Sequence, residues 1–250
     1  MLNTTHKYKA LMIDVDGTLI PNKKDGFPSQ KVIQAVQKAS KKLHVGLATS
    51  RPSFMLDYIL DQLPLTGPSI INSGSQVIDT TTRNIVWEQP ILPRDVETVR
   101  RYVKKNNLKA FVNSIDQDFV LDDAYKSTKT LQIFMIAPEN VDTIITDLSD
   151  IPTLALHKVP SFTKEKVSLL ITHATATKQH GIFEVAKILG IETHEIIGIG
   201  DGYNDFPLLM ACGLKVAMGN AVDDLKAIAD YVAPPVDEDG VADVINRFVL

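Results

Sequence analysis

The sequence predicts an α/β chain: a doubly wound parallel sheet built from both ends of the chain and interrupted by an inserted α+β unit. Three observations predict it. Short apolar runs closing on polar residues or turn-formers recur at 10–15, 45–48, 68–72, 196–200 and 214–218, as buried parallel strands do. Apolar residues at helical spacing separate successive runs at both ends. In the middle of the chain, hairpin-like segments replace that alternation without any low-complexity linker.

Taken in order, residues 10–15 read as the first strand, after which Gly17 lets the chain turn. Side chains two apart in extended backbone point the same way, so Asp14 and Asp16 can face one pocket while Val15 returns to the core. An ordinary Asp-Gly turn explains this segment equally well when it is read alone. Ser29 can cap a helix carrying Val32, Ile33, Val36, Ala39 and Leu43. The second strand, 45–48, ends at Thr49-Ser50-Arg51-Pro52, which completes a βαβ unit with an expected right-handed crossover. Phe54, Leu56, Ile59 and Leu60 mark a further helix, and 68–72 the third strand.

Residues 75–88 read as a hairpin turning through Thr80 to Asn84. Pro93 opens a helix, strands follow at 110–115, 119–121 and 131–136, and Pro138 begins a second helix. Strands at 154–159 and 167–172 complete an α-β-β-α-β-β unit on a mostly antiparallel sheet. Alternation then resumes with a helix over 178–189 capped by Gly190, strands at 196–200 and 214–218, a helix at 222–229, an edge strand at 231–233 and a last helix. The expected division is a Rossmann-like core from 1–80 and 176–250, with the inserted α+β unit at 81–175.

With 250 residues, 44% apolar and 22% charged, the chain has the composition of a soluble globular protein. A net charge of −4 disfavours nucleic acid or an anionic membrane as the main partner and moves small molecules up. Cys212 is the single cysteine, so there is no internal disulfide framework, and no Cys/His group has zinc-site spacing. Residues 1–7 lack the apolar segment of a signal peptide, and no run approaches the roughly 18 apolar residues of a membrane span. The expectation is a cytoplasmic protein acting on a small molecule.

Three strand ends carry groups of complementary chemistry: Asp14 with Asp16, Thr49 to Arg51, and Asp201 with Asp205. In open α/β sheets ligands bind beyond the carboxyl ends of the strands. Clustered carboxylates suit Mg²⁺, a hard cation that also accepts phosphate oxygens. Thr49 offers a hydroxyl and backbone amides to a phosphoryl group, and Lys178 a compact positive charge. Two like charges ~4 Å apart repel by about 4 kcal/mol at an effective dielectric near 20, so such a site needs those cations. Each piece has a plainer reading alone: a turn at Asp201-Gly202, a solvated Lys178, an N-cap at Thr49, an ion pair holding the loop at Arg51.

Together, Asp14-Val15-Asp16-Gly17-Thr18, Thr49, Lys178 and Gly200-Asp201-Gly202-Tyr203-Asn204-Asp205 resemble the four motifs of the haloacid dehalogenase superfamily, and the insertion resembles the cap of its Cof-like branch. The resemblance implies a Mg²⁺-dependent phosphatase of small phosphorylated metabolites, sugar phosphates above all. It implies that Asp14 is the nucleophile forming an aspartyl phosphate and Asp16 the general acid and base. Thr49 and Lys178 would hold the phosphoryl group, with Ser50, Arg51 and Asn204 on the substrate side. Asp201, the Asp14 carboxylate and the Asp16 main-chain carbonyl would bind the metal, with Asp205 supporting the metal's waters or Lys178. The chain departs from relatives in carrying Thr49-Ser50-Arg51 for Thr-Gly-Arg, Ser73-Gly74 for Asn-Gly, and Gln179 for the glycine common after the motif lysine. A sugar phosphomutase of the same superfamily and a catalytically idle binding protein are the competing readings. A metal-dependent glycosyltransferase also uses an Asp-x-Asp pair but leaves Thr49, Lys178 and Asp201 unexplained. His157, His173, His180 and His194 have no spacing that demands a metal, and Arg94, Asp122, Asp123, Lys126 and Lys129 read as solvated charges.

Overall fold

In the computed structural model, which describes residues 7–23, 26–113, 117–127, 129–161 and 166–250, the first apolar run becomes β1 (Ala10–Ile13), every residue of it buried. Ser29 caps α1 (Gln30–Ala39), its hydroxyl accepting from the Val32 amide at 3.1 Å. β2 (His44–Leu47), α2 (Asp57–Leu60) and β3 (Pro68–Ile71) follow as expected, and the hairpin is β4 (Gln76–Asp79) with β5 (Ile85–Glu88). The insertion comprises α3 (Pro93–Lys105), β6 (Phe111–Asn113), β7 (Asp118–Val120), β8 (Gln132–Met135), α4 (Val141–Leu148), β9 (Leu154–Pro160) and β10 (Val167–His173). Ser114 and Ile115, where the strand at β6 was expected to continue, lie outside the described residues. α5 (Lys178–Leu189), β11 (Ile196–Gly200), α6 (Phe206–Ala211), β12 (Leu214–Ala217), α7 (Asp223–Ile228), β13 (Tyr231–Val232) and α8 (Gly240–Phe248) close the chain. α6 carries no signal in the sequence pattern, since six residues are too few for helical periodicity to emerge.

The strand order β13-β12-β11-β1-β2 is parallel throughout, and a parallel bridge between Ala48 and Ile70 brings β3 alongside β2. The chain moves outward from β1 in one direction through β2 and β3, and in the other through β11, β12 and β13. β1 is thus where the strand order reverses. The β4–β5 hairpin extends β3 antiparallel, so β5 stays with the first sheet, past the division expected at residue 80.

The antiparallel sheet runs β7-β6-β8-β10-β9, with β8 at its centre, paired to both β6 and β10. The first half of the insertion therefore holds the three strands expected at 110–115, 119–121 and 131–136, and the α-β-β-α-β-β pattern counts one too few. Its apolar residues form a cluster separate from that of the parallel sheet: Val99 and Val103 of α3 and Ile144 and Leu148 of α4 meet Val112, Ile133, Met135, Leu169 and Ile171. By strand alternation, Asn113, Gln132, Phe134, Leu170 and Thr172 occupy the other face.

That other face meets the parallel-sheet unit. Gln132 Nε2 donates to Ser73 Oγ at 3.2 Å, and Ser75 Oγ to the Leu131 carbonyl at 2.8 Å. Gly74 has φ +105°, and a Cβ there would stand 2.2 Å from the Thr177 carbonyl carbon, so only glycine lets the β3–β4 connection touch the start of α5.

Candidate active site

The reversal of strand order opens a cleft beyond the carboxyl ends of β1 and β11, the place where doubly wound sheets bind ligands. Asp14 is the first residue past β1, its amide donating to the Ile199 carbonyl at 2.9 Å. Asp201 is the first past β11. Gly17 has φ +83°, and a Cβ there would meet Asp201 Oδ2 at 2.2 Å, so glycine is required for the two loops to approach.

Lys178, the first residue of α5, reaches this cleft fully buried. Its Nζ donates to Asp14 Oδ1 at 2.6 Å and to Asp205 Oδ1 at 2.5 Å. The other Asp205 oxygen accepts from the amides of Asp201 and Gly202, both at 3.0 Å, which folds the turn after β11 around it. Asp14, Asp201 and Asp205 each present a carboxylate oxygen within 4.8 Å of the other two.

One ammonium among three carboxylates leaves negative charge uncompensated, and the acidities register it. Burial, then Asp205, pushes the Asp14 carboxyl well above the ordinary range against the pull of Lys178. Asp201 is pushed up to about 7 by burial and by Asp205. Burial alone would lower the Lys178 ammonium, but Asp14 and Asp205 outweigh it and raise it. A site of hard oxygen donors with surplus negative charge fits a divalent cation of the Mg²⁺ type.

Asp16 lies apart from that cluster. Beyond Ile13 the chain leaves the extended conformation and turns, with the Gly17 amide bonded to the Ile20 carbonyl at 2.8 Å. The Asp16 carboxylate is held in a two-pronged ion pair by Arg51, Nε to Oδ2 at 2.9 Å and Nη2 to Oδ1 at 2.6 Å. Arg51 is buried and also donates to the Tyr58 hydroxyl at 2.7 Å. Of its two sequence readings, substrate contact or loop ion pair, the structure displays the ion pair, made to Asp16. Thr49 is buried beside it, its hydroxyl accepting from the Arg51 amide at 3.1 Å. Ser50 and Asn204 meet across the cleft, Asn204 Nδ2 to Ser50 Oγ at 3.2 Å.

Three participants have no role assigned from the sequence, although Thr18 stands in the first motif and His157 reads there as an ordinary histidine. Thr18 Oγ1 donates to Asp201 Oδ1 at 3.0 Å. Asn220 donates to the Gly17 carbonyl at 2.8 Å and to Asp201 Oδ2 at 3.4 Å, tying the ends of β1, β11 and β12 together. Its position just past β12 was the available signal, since polar residues at strand ends had already marked the other loops. His157, on β9, is drawn down to about 4 by burial and by the charge of Lys178, so a neutral imidazole from the antiparallel sheet borders the lysine.

Similarity to known proteins agrees with this geometry. The family profile described as haloacid dehalogenase-like hydrolase matches residues 11–245. The 5-amino-6-(5-phospho-D-ribitylamino)uracil phosphatase YcsE of Bacillus subtilis is 26% identical, with 97% of this chain and 96% of that protein covered. Among solved structures, a haloacid dehalogenase-like hydrolase from B. subtilis superposes with a TM-score of 0.85 at 20% identity, over 96% of this chain and 99% of that one. The subclass IIB sugar phosphatase BT4131 superposes with a TM-score of 0.80 at 24% identity, over 96% and 98%.

Proposed function

This chain belongs to the haloacid dehalogenase-like hydrolases, and on that premise we propose that it is a Mg²⁺-dependent phosphatase hydrolysing a phosphomonoester of a small polyhydroxylated metabolite through an aspartyl phosphate. The observation that carries the reading is the buried Lys178 bridging Asp14 and Asp205 within the three-carboxylate cluster at the reversal of strand order. A structural salt bridge needs one carboxylate. Three around one buried lysine support a site built for added positive charge and a phosphoryl group.

Asp14 and Asp201, with the Asp16 main-chain carbonyl, would hold Mg²⁺, which supplies charge neutralisation for the carboxylates and the phosphoryl oxygens. Asp205, with one oxygen on Lys178 and the other on two amides, serves to fix Lys178 and the turn after β11. An Asp14 carboxylate oxygen attacks phosphorus, and the bond from phosphorus to the leaving oxygen breaks as Asp16 delivers its proton there. Asp16 then takes a proton from water as the water oxygen attacks the aspartyl phosphate, returning Asp14 and releasing inorganic phosphate. Lys178 and Thr49 stabilise the charge on the transferring group, and in phosphoryl transfer such stabilisation, together with positioning, accounts for most of the rate enhancement. Arg51 holds the Asp16 carboxylate through two parallel hydrogen bonds, and Asp16 gives up one of them to carry a proton to the leaving oxygen.

The inserted sheet, whose polar face meets the core beside Thr49 and Ser73, serves as the unit that covers the leaving group. YcsE, by its name, acts on a ribityl phosphate, and that relative supports a polyol or sugar ester as the class of substrate. No helix among the described residues is long and apolar enough to cross a membrane, in keeping with a cytoplasmic metabolite as substrate. A panel of phosphorylated metabolites assayed with Mg²⁺ for phosphate release tests the reading. Stoichiometric phosphate supports it, and isomerised sugar phosphate without phosphate release overturns it.

A further inference from the structure

Among the described residues, two buried side-chain polar atoms have no hydrogen-bond partner, Asn72 Oδ1 and Asn113 Oδ1. They stand on opposite sides of one contact between the two sheets. Asn113 is the register partner of Gln132 across β6 and β8, and Gln132 Nε2 donates to Ser73 Oγ, the neighbour of Asn72. Val112 and Ile133, the adjacent residues on those strands, are packed in the second apolar cluster, so Asn113 and Gln132 lie on the face turned toward the core.

The orientation of both carboxamides is set by carboxylates. Asn113 Nδ2 donates to Asp118 Oδ1 at 3.2 Å. A carboxylate accepts but does not donate, so the amide nitrogen belongs on that side and the oxygen is the open end. The same logic runs through two residues on the core side. Gln76 Nε2 donates to Glu88 Oε2 at 3.2 Å, leaving Gln76 Oε1 to accept from Asn72 Nδ2 at 2.8 Å. Asn72 Oδ1 is again the open end. Exchanging nitrogen and oxygen in any of these groups would set acceptor against acceptor.

Asn72 also sits in strained backbone beside the phosphoryl-binding segment. Asn72 and Ser73 have φ of 51° and 59°, the left-handed region that residues other than glycine rarely occupy in succession. Their amides donate to the carbonyls of Arg51 and Thr49, at 3.0 and 3.1 Å. Buried acceptors without donors are unfavourable. Asn72 adjoins the Thr49–Arg51 segment through its amide, and Asn113 is linked to the same connection through Gln132 and Ser73.

We propose that Asn72 and Asn113 are specificity-determining residues whose carboxamide oxygens, one from each sheet, accept hydrogen bonds from hydroxyl groups of the leaving group. The inference rests on the phosphatase reading above and deepens it. Two open acceptors, with Asp118 beside Asn113, favour a neutral, hydroxyl-rich leaving group. A carboxylate or second phosphate would set its own acceptor oxygens against these two, which offer it no proton.

The test compares substrates before it compares variants. The best of a panel of hexose, pentose and pentitol phosphates is assayed with Mg²⁺ against its monodeoxy analogues, with p-nitrophenyl phosphate as a reference lacking hydroxyls. For the wild type, loss of one particular hydroxyl is expected to lower kcat/KM by about tenfold or more, since unpaired site acceptors penalise the analogue. Asn113→Ala is expected to lower the ratio of kcat/KM for the sugar phosphate over p-nitrophenyl phosphate by about tenfold, and to shrink the penalty of the deoxy analogue, as coupled groups do in a double-mutant cycle. The inference is overturned when no deoxy position costs the wild type more than about threefold, or when Asn113→Ala leaves that ratio unchanged. Should Asn113→Ala not fold, the wild-type deoxy series decides by itself. Turnover of p-nitrophenyl phosphate without discrimination among the deoxy analogues removes this inference alone. No phosphate release from any substrate removes the phosphatase reading, and this one with it.

Discussion

At the ends of β1 and β11 Asp14, Lys178, Asp201 and Asp205 are buried and engaged: Lys178 with Asp14 and Asp205, Asp205 with two amides, Asp201 with Thr18 and Asn220. Across from it, the antiparallel sheet turns a largely neutral face of Asn113, Gln132, Thr172 and His157 toward the same region, with one carboxamide oxygen left open. The difference separates two tasks. Charge, held rigidly on strand ends, suits a reaction whose barrier is electrostatic. Neutral acceptors on a second sheet suit choosing among leaving groups without adding to the repulsion around Asp14.

The sharpest way to break that division is to remove the charge it assigns to chemistry. Asp14→Asn keeps the side chain's size and an acceptor for Lys178 but removes the nucleophilic carboxylate. We expect kcat to fall by about a thousandfold or more on every substrate, p-nitrophenyl phosphate included. Comparable turnover in steady-state phosphate release would take Asp14 out of the reaction.

Stability offers a second cut. Ile144 is fully buried in the apolar cluster of the insertion, separate from that of the parallel sheet. Ile144→Ala should destabilise by about 2–5 kcal/mol, the cost of a large-to-small change in a packed core. If the two sheets are distinct folding units, calorimetry should show the loss in one transition while the Mg²⁺-stabilised transition stays in place. A single transition lowered as a whole would argue against the division.

Arg51 probes the chemistry more finely, because its side chain holds Asp16, one step removed from phosphorus. Arg51→Lys keeps the charge and loses the two-pronged geometry. We expect kcat to fall by roughly tenfold to a hundredfold on alkyl phosphates, the usual scale of a misplaced general acid. With p-nitrophenyl phosphate, whose leaving group needs little protonation, the fall should be smaller. Equal losses on both substrates would mean that Arg51 serves the phosphoryl group and not Asp16.

These contrasts also explain what the sequence made legible. Asp14, Thr49, Lys178, Asp201 and Asp205 could be read because each sits at a strand end or helix start, and such punctuation is local. The partnership of Asp16 with Arg51 could not, since it depends on how the turn after β1 leaves the extended conformation. Asn113 and His157 look like ordinary strand residues until the register of the antiparallel sheet shows which face they occupy. Asn220 needed the order of β12, β11 and β1 before its place beside Gly17 and Asp201 had meaning. The insertion gave up its helices and its five strands, but its middle strand β8 gained its role only through pairing on both sides.

The gentlest test concerns how the charged cleft holds Mg²⁺. Asp201 is pushed up to about 7, and Asp14 is raised as well, both by burial and by Asp205. Without metal the folded protein then binds protons near neutral pH that the unfolded chain, with ordinary carboxylates, has already lost. Stability of the metal-free protein should therefore fall as pH rises from about 4 through 7, because the native state holds more protons there than the unfolded one. Mg²⁺ needs those carboxylates ionised, so its binding should release protons and tighten with pH by up to about tenfold per unit for each proton released, the Asp201 contribution levelling off above about 7. Titration calorimetry in two buffers of different ionisation enthalpy counts the protons released. Affinity that does not change between pH 5.5 and about 7.5 would mean the cluster is already ionised without metal, and that Lys178 compensates the carboxylates more fully than the burial of Asp14 and Asp201 implies.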